Sequence, residues 1–193
     1  MSQIKLAPNA SGSGIFTLES PNSNTNRTLT LPDNAGTFIT TGSSGQSIPK
    51  AALPTGSVLQ VVTNTASTAT TTTSTSYTTV ISCSITPTSS SSKILLLGYC
   101  DYWISGGPGN EQGCDVQVQR GSTVIVAGGN GANIYGATIA FIGGKYSPIY
   151  LDSPATTSST TYNIQLKVQQ SGVSVIFNRQ SALSSLTLME IAA

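Results

Sequence analysis

The run Lys93 to Ile104, KILLLGYCDYWI, sets the terms for the rest of the chain. An extended chain sends successive side chains to opposite faces, and here apolar residues fall on both, as they do in a central strand covered on each side. A single sandwich covers one face of such a strand. The other face, with Leu95, Leu97, Tyr99 and Trp103, would then be left to water, and burial against a partner subunit would remove that cost.

The neighbouring segments read as shorter strands. They are Val58 to Thr63, Tyr77 to Thr86, Cys114 to Arg120, Thr123 to Ala127, Ala137 to Ile142, Ile149 to Asp152, Tyr162 to Gln169, Val173 to Phe177 and Leu186 to Ile191. Alternation is clearest where Tyr162, Ile164, Leu166 and Val168 interleave with Asn163, Gln165, Lys167 and Gln169, which gives one core face and one wet face. Short strands at this spacing with turn signals between them predict an all-β fold, a two-sheet β-sandwich of jelly-roll type. Heavy use of Ser and Thr, with charged residues at only 8%, favours extended structure with neutral outer faces.

Three regions follow from the pattern. Residues 1–41 form an N-terminal segment, 42–56 a Pro/Gly/Ser linker and 57–193 the sandwich. In the first, Ile15 to Glu19, Thr28 to Leu31 and Thr37 to Thr41 predict a three-strand meander with Ser-Pro-Asn-Ser-Asn and Pro-Asp-Asn-Ala-Gly turns. Such a short meander is marginal alone and needs copies of itself or a docking surface. Met1 to Ser13 reads as a flexible lead, and the prolines of the linker favour an extended spacer. Thr65 to Ser76 and Thr86 to Ser92 read as long polar loops.

Two sets of words in the sequence resemble those of bacteriophage tail-fibre proteins. NRTLTLPDNAGTFITTG is similar to the N-terminal segment common in that family. SITPTSSSSKIL, RGSTVI from Arg120, YLDSPATTSSTTY from Tyr150 and SSLTLMEIA from Ser184 are similar to its C-terminal domains. The resemblance covers roughly half the chain and both of its ends. It implies a virion protein whose N-terminal part attaches to the particle and whose β-rich tip is displayed outward as a homotrimer. The departure is length, because only the linker stands where many such proteins carry a long repetitive shaft. A capsid decoration or cement protein is the alternative placement.

The chemistry available is narrow. With no histidine, Ser-His-Asp triads, Cys-His dyads and His-based metal sites are excluded. No metal or cofactor site is expected. Cys83, Cys100 and Cys114 show no metal-type spacing, and Cys83 and Cys114 fall in phase with apolar neighbours, as buried free thiols suited to assembly in a reducing cytoplasm. A net charge of +1 offers nothing to nucleic acid. No apolar run reaches the ~18 to 20 residues of a membrane span, and the N-terminus lacks the pattern of a signal peptide.

A glycan-cleaving enzyme would need two carboxylates roughly 5 to 10 Å apart. Asp101 and Asp115 are the one pair that a hairpin through Ser105 to Gly113 could bring together; the simpler reading pairs Asp101 with Arg120, Lys145 or a backbone donor and leaves Asp115 solvated. Glu190, in phase with Leu186 and Leu188, is expected to be buried and paired, with a subunit interface as one location. No catalytic residue is therefore assigned.

The Gly-rich runs Ser105 to Gly113 and Gly128 to Gly136 lack the Lys-Ser/Thr and the helix of a phosphate loop, and read as exposed β-turn loops. They are the place for host recognition. A neutral protein binds sugars with aromatic faces and side-chain amides, and Trp103, Asn110, Asn130, Asn133, Tyr135 and Tyr146 are the candidates for host-glycan contact, Trp103 being equally suited to the core. The expected function is a non-enzymatic short tail fibre, located on the tail or baseplate with the capsid surface as alternative, which partners itself, other virion proteins and host surface glycan.

Overall fold

The computed structural model describes residues 10–15, 17, 22–26, 28, 53–106, 112–134 and 142–193. The chain divides into two units, Met1–Ser44 and Gly45–Ala193. In the first, the described residues are exposed, and Thr25 N–H donates to Ser23 Oγ at 3.2 Å in a local turn. Of the three meander strands only Ile15, Thr17 and Thr28 are described, none of them in a strand, and most of the linker lies outside the described residues.

The second unit is all β among its described residues, apart from one 3-10 turn at Arg179–Ser181. Its strands are β1 (Val58–Ala66), β2 (Thr70–Thr72), β3 (Thr78–Ile85), β4 (Lys93–Gly106), β5 (Gln112–Arg120) and β6 (Thr123–Ile134). They are followed by β7 (Ile142–Tyr146), β8 (Ile149–Asp152), β9 (Thr160–Val168), β10 (Val173–Phe177) and β11 (Ser184–Ile191). Strand β4 is the hub. Its first half pairs with β11 on one side and β8 on the other, and its second half with β10 and β7.

The flanking strands are halves of longer ones. β7 pairs Tyr146 with Cys100, and β8 pairs Ile149 with Leu97, so both keep one register along β4, with Ser147 and Pro148 opposite Tyr99 and Gly98. Pro148 has no N–H to give, but its carbonyl still accepts from Gly98 N–H at 2.8 Å. The ladder loses one donor there, and that bond carries it across the gap between β7 and β8. β10 and β11 likewise run consecutively beside β4, separated by the Asn178–Leu183 excursion, and β2 and β1 pair with them in turn.

Counting each broken strand once, the sheets have the orders 1-8-3-6 and 2-7-4-5, the second being β3-β9-β5-β6. This is the jelly roll that the spacing predicts, with each sheet interleaving early and late strands. Inward residues alternate strictly along β9, β10 and β11. They make two joined clusters, one around Ile94, Leu96, Tyr162, Ile164, Leu186 and Leu188, the other around Ile104, Val116, Val168, Val175 and Phe177, with Val80 and Tyr146 touching both. Each such aliphatic side chain contributes about 1.5–3 kcal/mol on burial.

Two expectations change. Thr65 to Ser76 is not all loop, because β1 runs on to Ala66 and Thr70–Thr72 pairs with β10. Thr-rich polar sequence conceals a short edge strand there, since Thr is β-branched and needs no apolar partner at an edge. Nor is Gly128 to Ile134 a turn: it continues β6 against β5, with register shifts between Cys114 and Asp115 and around Val118. Glycine-rich sequence reads as a turn, but here the bulges accommodate it. Of the segment Ala137 to Ile142, only Ile142 is described, and it opens β7.

Candidate functional site

Three polar arrangements interrupt the apolar pattern. The first ties the sheets together: Asp152, at the end of β8, accepts from Arg120 of β5 at 2.8 Å to each oxygen and from the Tyr162 hydroxyl of β9 at 2.7 Å. Burial, and then donation to and the charge of Asp152, push the Tyr162 phenol far above its usual value, with Arg120 offsetting part of this. Arg120 is thereby committed to Asp152 and is not the partner of Asp101.

The second holds the Thr86–Ser92 loop. Glu190 is fully buried on β11, and its carboxylate accepts from Thr88 N–H at 2.6 Å, the Thr88 hydroxyl at 2.7 Å and Gln60 Nε2 at 2.6 Å. Burial alone would raise its pKa, but the side-chain donors Thr88, Ser92 and Gln60 and the Thr88 backbone outweigh that and hold it below its ordinary value. With no exposed surface and its carboxylate satisfied by these donors, Glu190 acts as the anchor of that loop. Beside it lies a pocket of about 420 Å³ lined by Leu53, Leu59, Thr88, Ser92 and Ala192. Hydroxyls and aliphatic carbons line it, with no titratable side chain to do chemistry.

The third sits on the outer face of β4. Asp101 pairs across the ladder with Lys145 of β7 and forms an ion pair with it. Asp101 is nonetheless buried, because the Asn178–Leu183 excursion folds over it: Asn178 N–H donates to the Asp101 carbonyl at 3.3 Å, and Asp101 N–H donates to Ser184 Oγ at 3.3 Å. The excursion carries three non-glycine residues at positive φ, Asn178, Gln180 and Ser181. Lys145 stands 5.6 Å from the Tyr99 ring centre, and the Arg179 guanidinium 4.8 Å from that of Trp103.

The sequence candidates do not converge. Trp103 is on the outer face of β4, laid over Gly143 and stacked by Arg179, so it is outside the core. Tyr146 is half-buried, packs against both core clusters and has its phenol pushed up by burial, which makes it an inward-facing residue. Asn130 and Asn133 are on β6, opposite Asp115 and Gly113. Asn110 and Tyr135 lie outside the described residues. The chain leaves and re-enters at Gly106, Gln112, Ile134 and Ile142, which the pairings place at one end of the sandwich.

The carboxylate pair does not form either. Asp115 bonds Lys167 at 3.3 Å and Gln169 at 2.8 Å on the outer face of the β3-β9-β5-β6 sheet, so it is paired and not simply solvated. Asp101 is on the outer side of the opposite sheet. Two sheets stand about 10 Å apart, and outward carboxylates on both cannot flank one glycosidic bond. The three cysteines are buried and free, and no group of metal-ligating side chains occurs among the described residues.

Lys145 is one of the partners that the sequence offers for Asp101, and the β4–β7 register selects it; the Arg179–Trp103 stack, made by the Asn178 excursion, carries no signal in the sequence. The chain matches no established protein-family model and no curated protein. Among solved structures it is similar to capsid protein of infectious bursal disease virus. A Gt-strain structure gives a TM-score of 0.37 and 11% identity over 71% of this chain and 39% of that one. A VP2 subviral particle gives 0.37 and 13% over 69% and 37%. The chain thus spans well under half of those proteins, and at such TM-scores neither fold nor role follows.

Proposed function

We propose that this protein is a non-enzymatic structural subunit of a phage virion, a short tail fibre that docks through residues 1–41 and displays the jelly roll for adhesion to the host surface. One observation carries the reading: the words that resemble phage fibres fall on the residues that lock the sandwich. RGSTVI and YLDSPATTSSTTY supply Arg120, Asp152 and Tyr162, while SITPTSSSSKIL and SSLTLMEIA supply Thr88 and Glu190. A chance likeness in Ser/Thr-rich sequence has no reason to select the two buried networks. The homotrimer follows from the same resemblance. Host glycan would meet the end of the sandwich marked by Gly106, Gln112, Ile134 and Ile142, with Asn130 and Asn133 on β6 close by in the chain.

Gold-tagged antibody to the sandwich, imaged on intact particles, tests the placement. Label at the tail or baseplate is the expected result. Label over the shell would replace the fibre with a capsid decoration protein, and absence from particles would remove the virion role. Adhesion is tested separately: changing Asn110, Asn133 and Tyr135 to Ala should abolish binding to host envelope glycan with assembly intact, and unchanged binding refutes that site.

A further inference from the structure

The two outer faces of the sandwich differ in kind. On the β3-β9-β5-β6 sheet, side chains are tied into a polar ladder: Ser84 to Thr161 at 2.8 Å, Ser82 to Asn163 at 2.6 Å, Gln117 to Gln165 at 2.8 Å and Lys167 to Asp115 at 3.3 Å. On the other sheet, the pairings place Val61, Met189, Leu95 and Leu151 in one row across four strands, with Thr63, Thr187, Leu97 and Ile149 in the next. Directly paired residues share a face, so these rows form one continuous band. Ile149 is 73% exposed, Val61 52% and Leu151 50%. Tyr99 extends the band, and the Asp101–Lys145 ion pair closes it with no net charge.

We infer that this band is the contact surface between copies of the chain. The inference rests on the reading of the protein as a subunit of an assembly and names the face that assembles. Four strands about 4.8 Å apart, followed over the seven residues Lys93 to Tyr99 at about 3.3 Å each, give a footprint of about 450 Å². That is comparable to the largest apolar patch of a typical soluble monomer, which is often functional, and is about half of the ~800 Å² per partner of a standard interface. An interface has an apolar core within a polar rim, and Thr65 and Ser185, in the row beyond Thr63 and Thr187, begin that rim on the same face.

Charge selects the occupant. A charged partner gains little steering from aliphatic rows bordered by the single cation Lys93, a glycan gains few hydrogen bonds from them, and a second copy brings the same apolar surface with a net charge of only +1. The band also reaches β8, which pairs with β4 on one side and with no strand among the described residues on the other, and whose Ile149, Tyr150 and Leu151 are all exposed, an arrangement that monomeric proteins protect with charge.

Sedimentation velocity of the full chain between about 1 and 100 µM tests the inference. The native chain should associate, and the Ile149→Asp, Leu151→Asp double variant should raise the dissociation constant by about 100-fold or more. Both residues are largely exposed in the single subunit, so the variant should melt within a few degrees of the native chain; Ile149→Gln gives a milder second test in the same direction. Ser84→Asp on the polar face should associate like the native chain. A native chain that stays monomeric, a double variant that associates unchanged, or a Ser84→Asp chain that alone falls apart would each overturn the inference. Particle labelling reports independently: a monomer found on virions ends this inference and leaves the virion role, and an oligomer missing from virions does the reverse.

Discussion

Replacing Glu190 with Gln removes one charge and changes almost no volume, so its cost comes from hydrogen bonding alone. One carboxylate oxygen takes Thr88 N–H and hydroxyl, and the other takes Gln60 Nε2. An amide must turn its NH₂ toward one of these donors. The Thr88 N–H cannot reverse, and Gln60 can reverse only by giving up its 2.7 Å bond to the Thr86 carbonyl. One buried donor is lost in either orientation, at about 2 kcal/mol, which corresponds to a fall in Tm of about 5 °C for a domain of this size. Because the folded-state carboxyl is held below its ordinary value of 4.5, its stabilisation is complete above that value and is lost as pH falls through the lower one. Urea unfolding of both proteins near pH 7 and in acid below pH 4.5 should therefore show a gap that narrows in acid, where the unfolded chain takes up the Glu190 proton before the folded one does. Equal stability at neutral pH, or a gap unchanged by acid, would refute the assignment of Glu190 as a charged loop anchor.

Tyr162→Phe should cost about 1–2 kcal/mol, because Asp152 loses a buried donor while the ring stays packed; denaturant titration measures it, and no loss would mean the hydroxyl is not bonded as described. Gly98→Ala should destabilise by about 1–3 kcal/mol, since the added Cβ would lie 2.7 Å from both Ile164 Cδ1 and Pro148 Cγ; an unchanged urea midpoint would show that the sheets part easily there. Cys100, pushed up to about 11 by burial with the Ser184 hydrogen bond offsetting part of it, should not react with a disulfide reagent near pH 8 until the protein unfolds. Labelling of the native protein within minutes would contradict that.

Arg120, Asp152 and Glu190, isolated charges in the sequence, are used within the sandwich: Asp152 and Glu190 both stand opposite Ile94 of β4, at one end of it, and each is satisfied by donors of neighbouring elements.

What the amino-acid order determined by itself is the set of strands and their inner faces. Strict alternation in Tyr162 to Gln169 and in Ser184 to Ile191 leaves one register that buries the apolar set, and the two-faced character of Lys93 to Ile104 marks the strand with neighbours on both sides. Val173 to Phe177 was legible to the residue for the same reason. Tertiary structure decided what periodicity does not encode: that Gly128 to Ile134 pairs with β5, that Tyr146 points inward, that Asp101 takes Lys145 while Arg120 goes to Asp152, and that Glu190 folds back onto the Thr86–Ser92 loop. Each depends on which strands become neighbours. A two-residue period fixes the side to which a residue points, but partners are chosen only when distant strands are brought into one sheet.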